Sequence, residues 1–311
     1  RLVDLAYVSG VDAVKLQTYK ADTIVTKTAK FDLDNVGEAV QHELFEKYQI
    51  DFELHKRVFE YIESKGLDWF STPSHKTDVD MLEELGVQAH KLGADDATNL
   101  PLIKYVASKN KPVFLSSGMC TLKEVGEMVN ACLETGNDKI ILFHTVSNYP
   151  TYPEQVNLKA IQTLKKEFPY LTIGFSDHTI GTSASLAAVC MGAEVIEKHF
   201  THDKTAEGPD HQLSASPKEM KEIVEKIREF ELMSGTGVKR PVGKEVINRA
   251  KNRKSIVSTK LIKKGEKLTL DNLDIKRPGY GIEPKYFESV LGKKASVDIA
   301  EDVVLMNEYL I

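Results

Sequence analysis

Cysteine is scarce in this chain. Its 311 residues include three, Cys120, Cys132 and Cys190, with no C-x-x-C spacing. An odd, scattered set gives no disulfide framework and fits a reduced, cytoplasmic protein. No apolar run approaches the about 20 residues that span a bilayer, and nothing reads as a secretory leader, so the chain is expected to be soluble and to keep off membranes. Positive charge is not in excess either. A formal net charge of −5 argues against a general nucleic-acid binder, and leaves any small anionic ligand to be held by local basic groups rather than by the overall field. What is present, 41% hydrophobic and 28% charged residues, is the composition of a folded globular chain. The length suffices for a full barrel domain and a smaller module.

Short apolar runs alternate with longer amphipathic segments over the first two-thirds. The runs are Ala13 to Thr18, Trp69 to Thr72, Ala89 to Ala94, Pro112 to Ser117, Lys139 to Val146, Thr172 to Asp177 and Val195 to Thr201. Between them lie helical patterns such as Phe52 to Ile62 and Glu124 to Cys132. Continuous apolar strands alternating with helices predict a parallel sheet covered by helices. Seven strands precede a long helix from Ser216 to about Met233, whose Ser-Pro start is a standard N-terminal signal. A closed (β/α)8 TIM barrel needs one more. Leu2 to Tyr7 already reads as a helix, so the expectation is a barrel whose first strand is missing, with an open doubly wound sheet as the competing arrangement. The barrel domain is expected over 1–233 and a Gly- and Pro-punctuated linker over 234–254. A compact β-rich module over 255–311 follows, near the lower size limit for folding alone.

Catalytic groups of α/β barrels gather at the carboxyl ends of the strands. Those ends here carry Lys15 and Gln17, Ser71 and Thr72, Lys91 with Asp95 and Asp96, Ser116 and Ser117, His144 with Ser147 and Tyr149, Ser176 to His178, and Glu197 to His199. His178 and His199 stand on successive strands, and imidazoles bind Mn, Fe or Zn well. A single strand-end histidine is more often a satisfied polar group, but the pair favours a metal site. His144 serves at most to orient a neighbour, and His42, His55 and His75 read as surface. Lys15 and Lys91 lie inside apolar strands, where an ammonium needs an anion nearby. A protein carboxylate or a substrate phosphate could fill that need, with Thr72, Ser116 and Ser176 as hydroxyl donors. A Schiff-base lysine is the competing use. Gly208-Pro209-Asp210-His211 reads as a tight loop that would set Asp210 at the barrel mouth, or as an ordinary surface turn.

In this order, Val14-Lys15-Leu16-Gln17-Thr18, Ser71-Thr72-Pro73, Lys91-Leu92-Gly93, Leu115 to Met119, Tyr149-Pro150-Thr151, Phe175 to Thr179, Glu197 to Thr201 and Gly208 to His211 resemble the sialic acid synthase family. The module with Lys276-Arg277-Pro278-Gly279 is similar to that family's antifreeze-like domain. The resemblance implies an enzyme that condenses phosphoenolpyruvate with an N-acylated amino sugar. It implies His178 and His199 as ligands of a divalent metal, usually Mn²⁺. Lys15, Thr72, Lys91, Ser116, Ser147 and Ser176 would hold phosphoenolpyruvate, and Gln17, Tyr149 and Asp210 the sugar. Arg277 would enter the site of a second copy in a domain-swapped homodimer.

The sequence also departs from the family. Ala94-Asp95-Asp96 stands where Ser-x-Glu is usual, removing one hydroxyl and shortening the carboxylate; Asp96 is the nominee for handling the proton of water. Ser147 replaces a common asparagine. The family's Glu-Ile-Gly-x-Asn-His stretch is absent and belongs to a strand ahead of Arg1, without which the barrel is expected to be inactive. The expected product is N-acetylneuraminate, made from N-acetylmannosamine. A legionaminate or related nonulosonate synthase, a sugar-phosphate synthase making a shorter keto acid, and a non-catalytic carbohydrate-binding relative are the alternatives.

Overall fold

The computed structural model describes residues 1–33 and 37–311, which divide into two compact units, Arg1–Ser234 and Gly235–Ile311. The first unit opens with helix α1 (Leu2–Val8) and strand β1 (Ala13–Thr18). A short helix α2 (Ala21–Ile24), an antiparallel hairpin of β2 (Lys30–Leu33) and β3 (Gly37–Val40), and helix α3 (Gln41–Tyr48) follow. Strands and helices then alternate: α4 (Phe52–Ser64), β4 (Asp68–Pro73), α5 (Lys76–Glu84), β5 (His90–Leu92), α6 (Leu100–Ala107), β6 (Val113–Ser116), α7 (Leu122–Leu133), β7 (Ile140–Thr145), α8 (Lys159–Glu167), β8 (Thr172–Asp177), α9 (Ser183–Cys190), β9 (Val195–Lys198) and α10 (Pro217–Ser234). The seven strands predicted from the apolar runs are all present. The hairpin and α3, short segments with weak periodicity, are additions.

All seven pair in parallel in the order β1-β4-β5-β6-β7-β8-β9, the curled sheet of a TIM-like barrel. Among the described residues, the outer edges of β1 and β9 pair with no further strand. Helix ends are fixed locally. The Asp51 side chain accepts the Leu54 amide at the start of α4, and Thr121 and Glu124 form a reciprocal capping box on α7. Val125, Met128, Val129 and Cys132 on α7 join Leu115, Leu142 and Ile173 in one buried core between helices and sheet. α10 lies beside α1, with Arg228 gripping Asp12 through two 2.8 Å contacts.

Strand alternation sorts side chains between the barrel interior and the helix-facing side. Inside, Phe70, Phe114 and Phe143 form an aromatic layer, with Phe70 and Phe114 stacked at 4.7 Å between ring centroids. Gly174, paired with Phe143, leaves room for that ring: a Cβ there would sit 2.7 Å from it. On the other face, Asp177 and Lys198 form an ion pair of 3.0 Å, with side-chain exposures of 0% and 2%. Both partners are bonded further: Lys198 donates to the Thr179 carbonyl, and Asp177 accepts from Thr179 and from Ser185. This pair ties β9 to β8.

The second unit holds a helix, α11 (Glu245–Asn252), within the stretch expected as linker, and β10 (Ser255–Ser258) paired antiparallel with β11 (Leu273–Lys276). Ile256, Ile262, Leu268, Leu305 and neighbours form its own core. No helix among the described residues is long and apolar enough to cross a membrane, and all three cysteines are free.

Two substitutions test this packing by urea denaturation. Lys198→Met, which strands a buried carboxylate, is expected to cost about 3 kcal/mol or more. Gly174→Ala, which overpacks the aromatic layer, is expected to cost about 1–3 kcal/mol.

Candidate active site

Above the aromatic layer the inward side chains turn polar. Lys15 on β1 donates to Thr72 Oγ1 on β4 at 3.2 Å, and Lys91 on β5 donates to Ser116 Oγ on β6 at 2.7 Å. Glu197 on β9 completes the layer, with Oε1 3.2 Å from Lys91 Nζ and accepting from Ser176 Oγ at 3.3 Å. Burial pulls the Lys15 ammonium below its ordinary pKa, an effect that Glu197 opposes. Burial also raises the Glu197 carboxyl, but Lys91 and Lys15 outweigh it and hold the group at about 2. The protein carboxylate foreseen as the bland partner of the lysines is therefore present. Glu197 is not among the site residues expected from the sequence. The available signal was its place two residues before His199, on the same face of one strand.

His178 and His199 come together at the mouth, ring centroids 5.4 Å apart, with Tyr149 at 4.3 Å from His178 and 5.9 Å from His199. His178 Nδ1 donates to the Val146 carbonyl at 2.7 Å, which leaves Nε2 with a free lone pair. Burial lowers the pKa of both rings, that of His199 to about 3 with help from His178 and Lys15. Both are neutral at pH 7, the form that binds metals. Two such donors fit a divalent cation. Among the described residues no group of three or more His, Cys, Asp or Glu side chains is placed to hold a metal ion, so the imidazole pair is the whole protein donor set.

The loop carrying Asp210 does bring it to the mouth, with Oδ2 3.5 Å from His199 Nδ1. Lys15, Gln17, Glu197, His199 and Asp210 line the polar end of a space of about 1480 Å³ that runs between the edges of β1 and β9, past Phe70, Phe114 and Phe143, to apolar residues of α1 and α10 such as Val3, Ile223 and Val224. Ser147 Oγ and Thr145 Oγ1 are buried with no hydrogen-bond partner. Gly118 lies so close that a Cβ would meet Ser147 Oγ and Ala94. Thr145, not among the residues expected at the site, shares the inward face of β7 with Phe143.

Three expectations change. His144 does not converge on the mouth; it faces the opposite side of β7, where Nε2 donates to the Val156 carbonyl at 2.7 Å. His55 is not a surface residue but fully buried on α4, bonded to Thr18 Oγ1 and to the Asp51 carbonyl. Asp96 turns toward α6 and accepts from Asn99 Nδ2 at 2.9 Å, while Asp95 is the carboxylate whose charge reaches Lys15 and Tyr149. Arg277 is exposed in the second unit.

A curled parallel sheet of a TIM-like barrel carries a buried layer of lysines, hydroxyls and a carboxylate with paired imidazoles at its carboxyl end, and the comparisons place this arrangement among the carbon–carbon bond-forming synthases. The chain belongs to the NeuB family, whose model matches residues 2–239, and a SAF domain matches residues 253–310. It is 40% identical to the N,N'-diacetyllegionaminic acid synthase of Legionella pneumophila, over 99% of this chain and 89% of that protein. With the N,N'-diacetyllegionaminic acid synthase of Campylobacter jejuni it shares 39%, over 98% and 93%. Among solved structures, an N-acetylneuraminic acid synthetase from Leptospira borgpetersenii matches with a TM-score of 0.71 and 31% identity, over 80% of this chain and 83% of that one.

Burial lifts the Asp96 carboxyl to about 6, against its Asn99 hydrogen bond. The folded protein therefore holds this proton between about pH 4 and 6 while the unfolded chain has lost it, so this group's contribution to stability falls as pH rises through that window. Asp96→Asn should abolish the fall. Denaturation at pH 4 and pH 7 is expected to show the variant gaining about 2–3 kcal/mol relative to the parent at the higher pH.

Proposed function

We propose that this chain condenses phosphoenolpyruvate with an N-acylated amino sugar and water, giving a nonulosonic acid and inorganic phosphate. The observation that carries this is the inward layer itself, two lysines bonded to flanking hydroxyls and joined through Glu197, with two neutral imidazoles packed together at the same end of the sheet. Lys15 and Lys91 would offset the phosphate and carboxylate charges. Thr72, Ser116, Ser147 and Ser176 would orient those groups, and the unpartnered hydroxyls of Thr145 and Ser147 are donors free for a ligand. Gln17, Tyr149 and Asp210 would hold the sugar.

The carbon-3 atom of phosphoenolpyruvate attacks the aldehyde carbon of the open-chain sugar. The cationic centre left at carbon 2 takes up water, and phosphate departs. Between His178 and His199 a divalent cation, Mn²⁺ in our assignment, would supply Lewis acidity toward the aldehyde oxygen. The lysines and hydroxyls fix the two reactants against each other. Of the adjacent carboxylates we assign the water's proton to Asp95 rather than Asp96, because Asp96 is engaged with Asn99. On the resemblance alone, we assign Arg277 to the site of a second copy, which makes the active species a domain-swapped homodimer, and we place the enzyme in the cytoplasm.

The sugar has two candidates. N-acetylmannosamine would give N-acetylneuraminate. A 2,4-diacetamido-6-deoxy sugar would give legionaminate, a reading supported by the 39–40% identity to two diacetyllegionaminic acid synthases. Mass spectrometry of products from each sugar with phosphoenolpyruvate decides between them, and no condensation with either would refute the proposal. His199→Ala is expected to lose at least about 100-fold in kcat and to abolish Mn²⁺ binding by calorimetry; unchanged, metal-independent turnover would remove the cation from the scheme.

A further inference from the structure

Two hydroxyls at the carboxyl end of the sheet are buried and unanswered. Thr145 is 6% exposed, and its Oγ1, like Ser147 Oγ, has no hydrogen-bond partner among the described residues. A buried hydroxyl left so is a standing cost to the fold, and native chains keep few of them without a use. The neighbouring hydroxyls are committed: Thr72 and Ser116 accept from the two lysines, and Ser176 donates to Glu197. Register places Thr145 opposite Ser176 and Ser176 opposite Glu197, so the three share the inward face of β7, β8 and β9. Glu197 in turn lies 3.2 Å from Lys91 Nζ. Thr145 therefore belongs to the charged tier. Beside it, Gly118 leaves a notch: a Cβ there would meet Ser147 Oγ and lie 2.8 Å from Ala94 Cβ and 3.4 Å from Thr145 Cγ2. Two uncommitted hydroxyl hydrogens, in a layer of two ammonium groups and one carboxylate, suit an acceptor that is acidic and carries several oxygens.

We propose that Thr145 is a substrate-holding residue whose hydroxyl, with that of Ser147, donates to an acidic oxygen of phosphoenolpyruvate. Thr145 thereby joins Ser147 among the groups that hold the acidic substrate, a role that rests on the function proposed above.

The test is calorimetric titration of phosphoenolpyruvate, and separately of inorganic phosphate, into the full chain and into Thr145→Val and Thr145→Ser, with melting temperatures taken alongside. Val keeps the shape and lacks the hydroxyl, so phosphoenolpyruvate should bind about tenfold more weakly, whereas Ser should hold it within about threefold of the parent. Without ligand, Thr145→Val should melt no lower than the parent, because it removes a buried polar group that had no partner. Inorganic phosphate weakened to the same degree assigns the hydroxyl to a phosphoryl oxygen, and weakening of phosphoenolpyruvate alone assigns it to the carboxylate; both results support the role. Unchanged phosphoenolpyruvate affinity in Thr145→Val overturns it. So does an equal loss in Thr145→Ser, which would make the methyl group and not the hydroxyl the feature that matters. If Thr145→Val does not fold, Thr145→Ala set against Thr145→Ser makes the same comparison, and equal affinity of those two overturns the role. A parent protein that binds no phosphoenolpyruvate defeats the proposed function itself, whereas one that binds it while Thr145→Val binds it equally well defeats only the role of Thr145.

Discussion

Two ammonium groups held inside an apolar barrel impose the constraint on which this molecule turns. Lys15 and Lys91 project from strands whose other side chains pack against an aromatic floor, and a charge in such surroundings is tolerated only with compensation at hydrogen-bond range. Glu197 provides the opposite charge, and Thr72 and Ser116 provide acceptors. The result is a layer of polar groups already oriented before any ligand arrives. Such preorganisation is the main source of transition-state stabilisation when charge is redistributed within a site closed off from water.

Beneath the imidazoles a second ionic device works on the opposite face of the same strands. Asp177 and Lys198 are each one residue away from His178 and His199, and strand alternation turns them outward while the histidines face the cleft. Their fully committed pair fixes the register at the point where both histidines emerge. Structural and functional charges thus share two short strands without interfering, separated by the thickness of one sheet.

Much of this was legible in the sequence because it follows period-two and apolar-run rules. The seven strands came from Val-, Ile- and Leu-rich runs, and the polar character of their ends located Lys15, Lys91, His178 and His199. What escaped depended on facing rather than on residue type. His144 sits on an apolar strand much as the other two histidines do, but one step out of phase, and its ring satisfies the Val156 carbonyl. His55 belongs to an amphipathic helix, and its burial became visible only once α4 lay over Thr18. Asp95 and Asp96 are neighbours whose side chains part in a tight turn, and no spacing rule says which is tied to Asn99 and which acts on Lys15. Glu197 was hidden by the histidine beside it.

The outermost members of the layer, Lys15 on β1 and Glu197 on β9, stand at the two ends of the strand order, so six successive pairings separate them along the sheet. Lys15 and Glu197 nonetheless feel one another's charge, so the polar layer is joined across its two ends by the curl of the sheet and not by adjacent pairing.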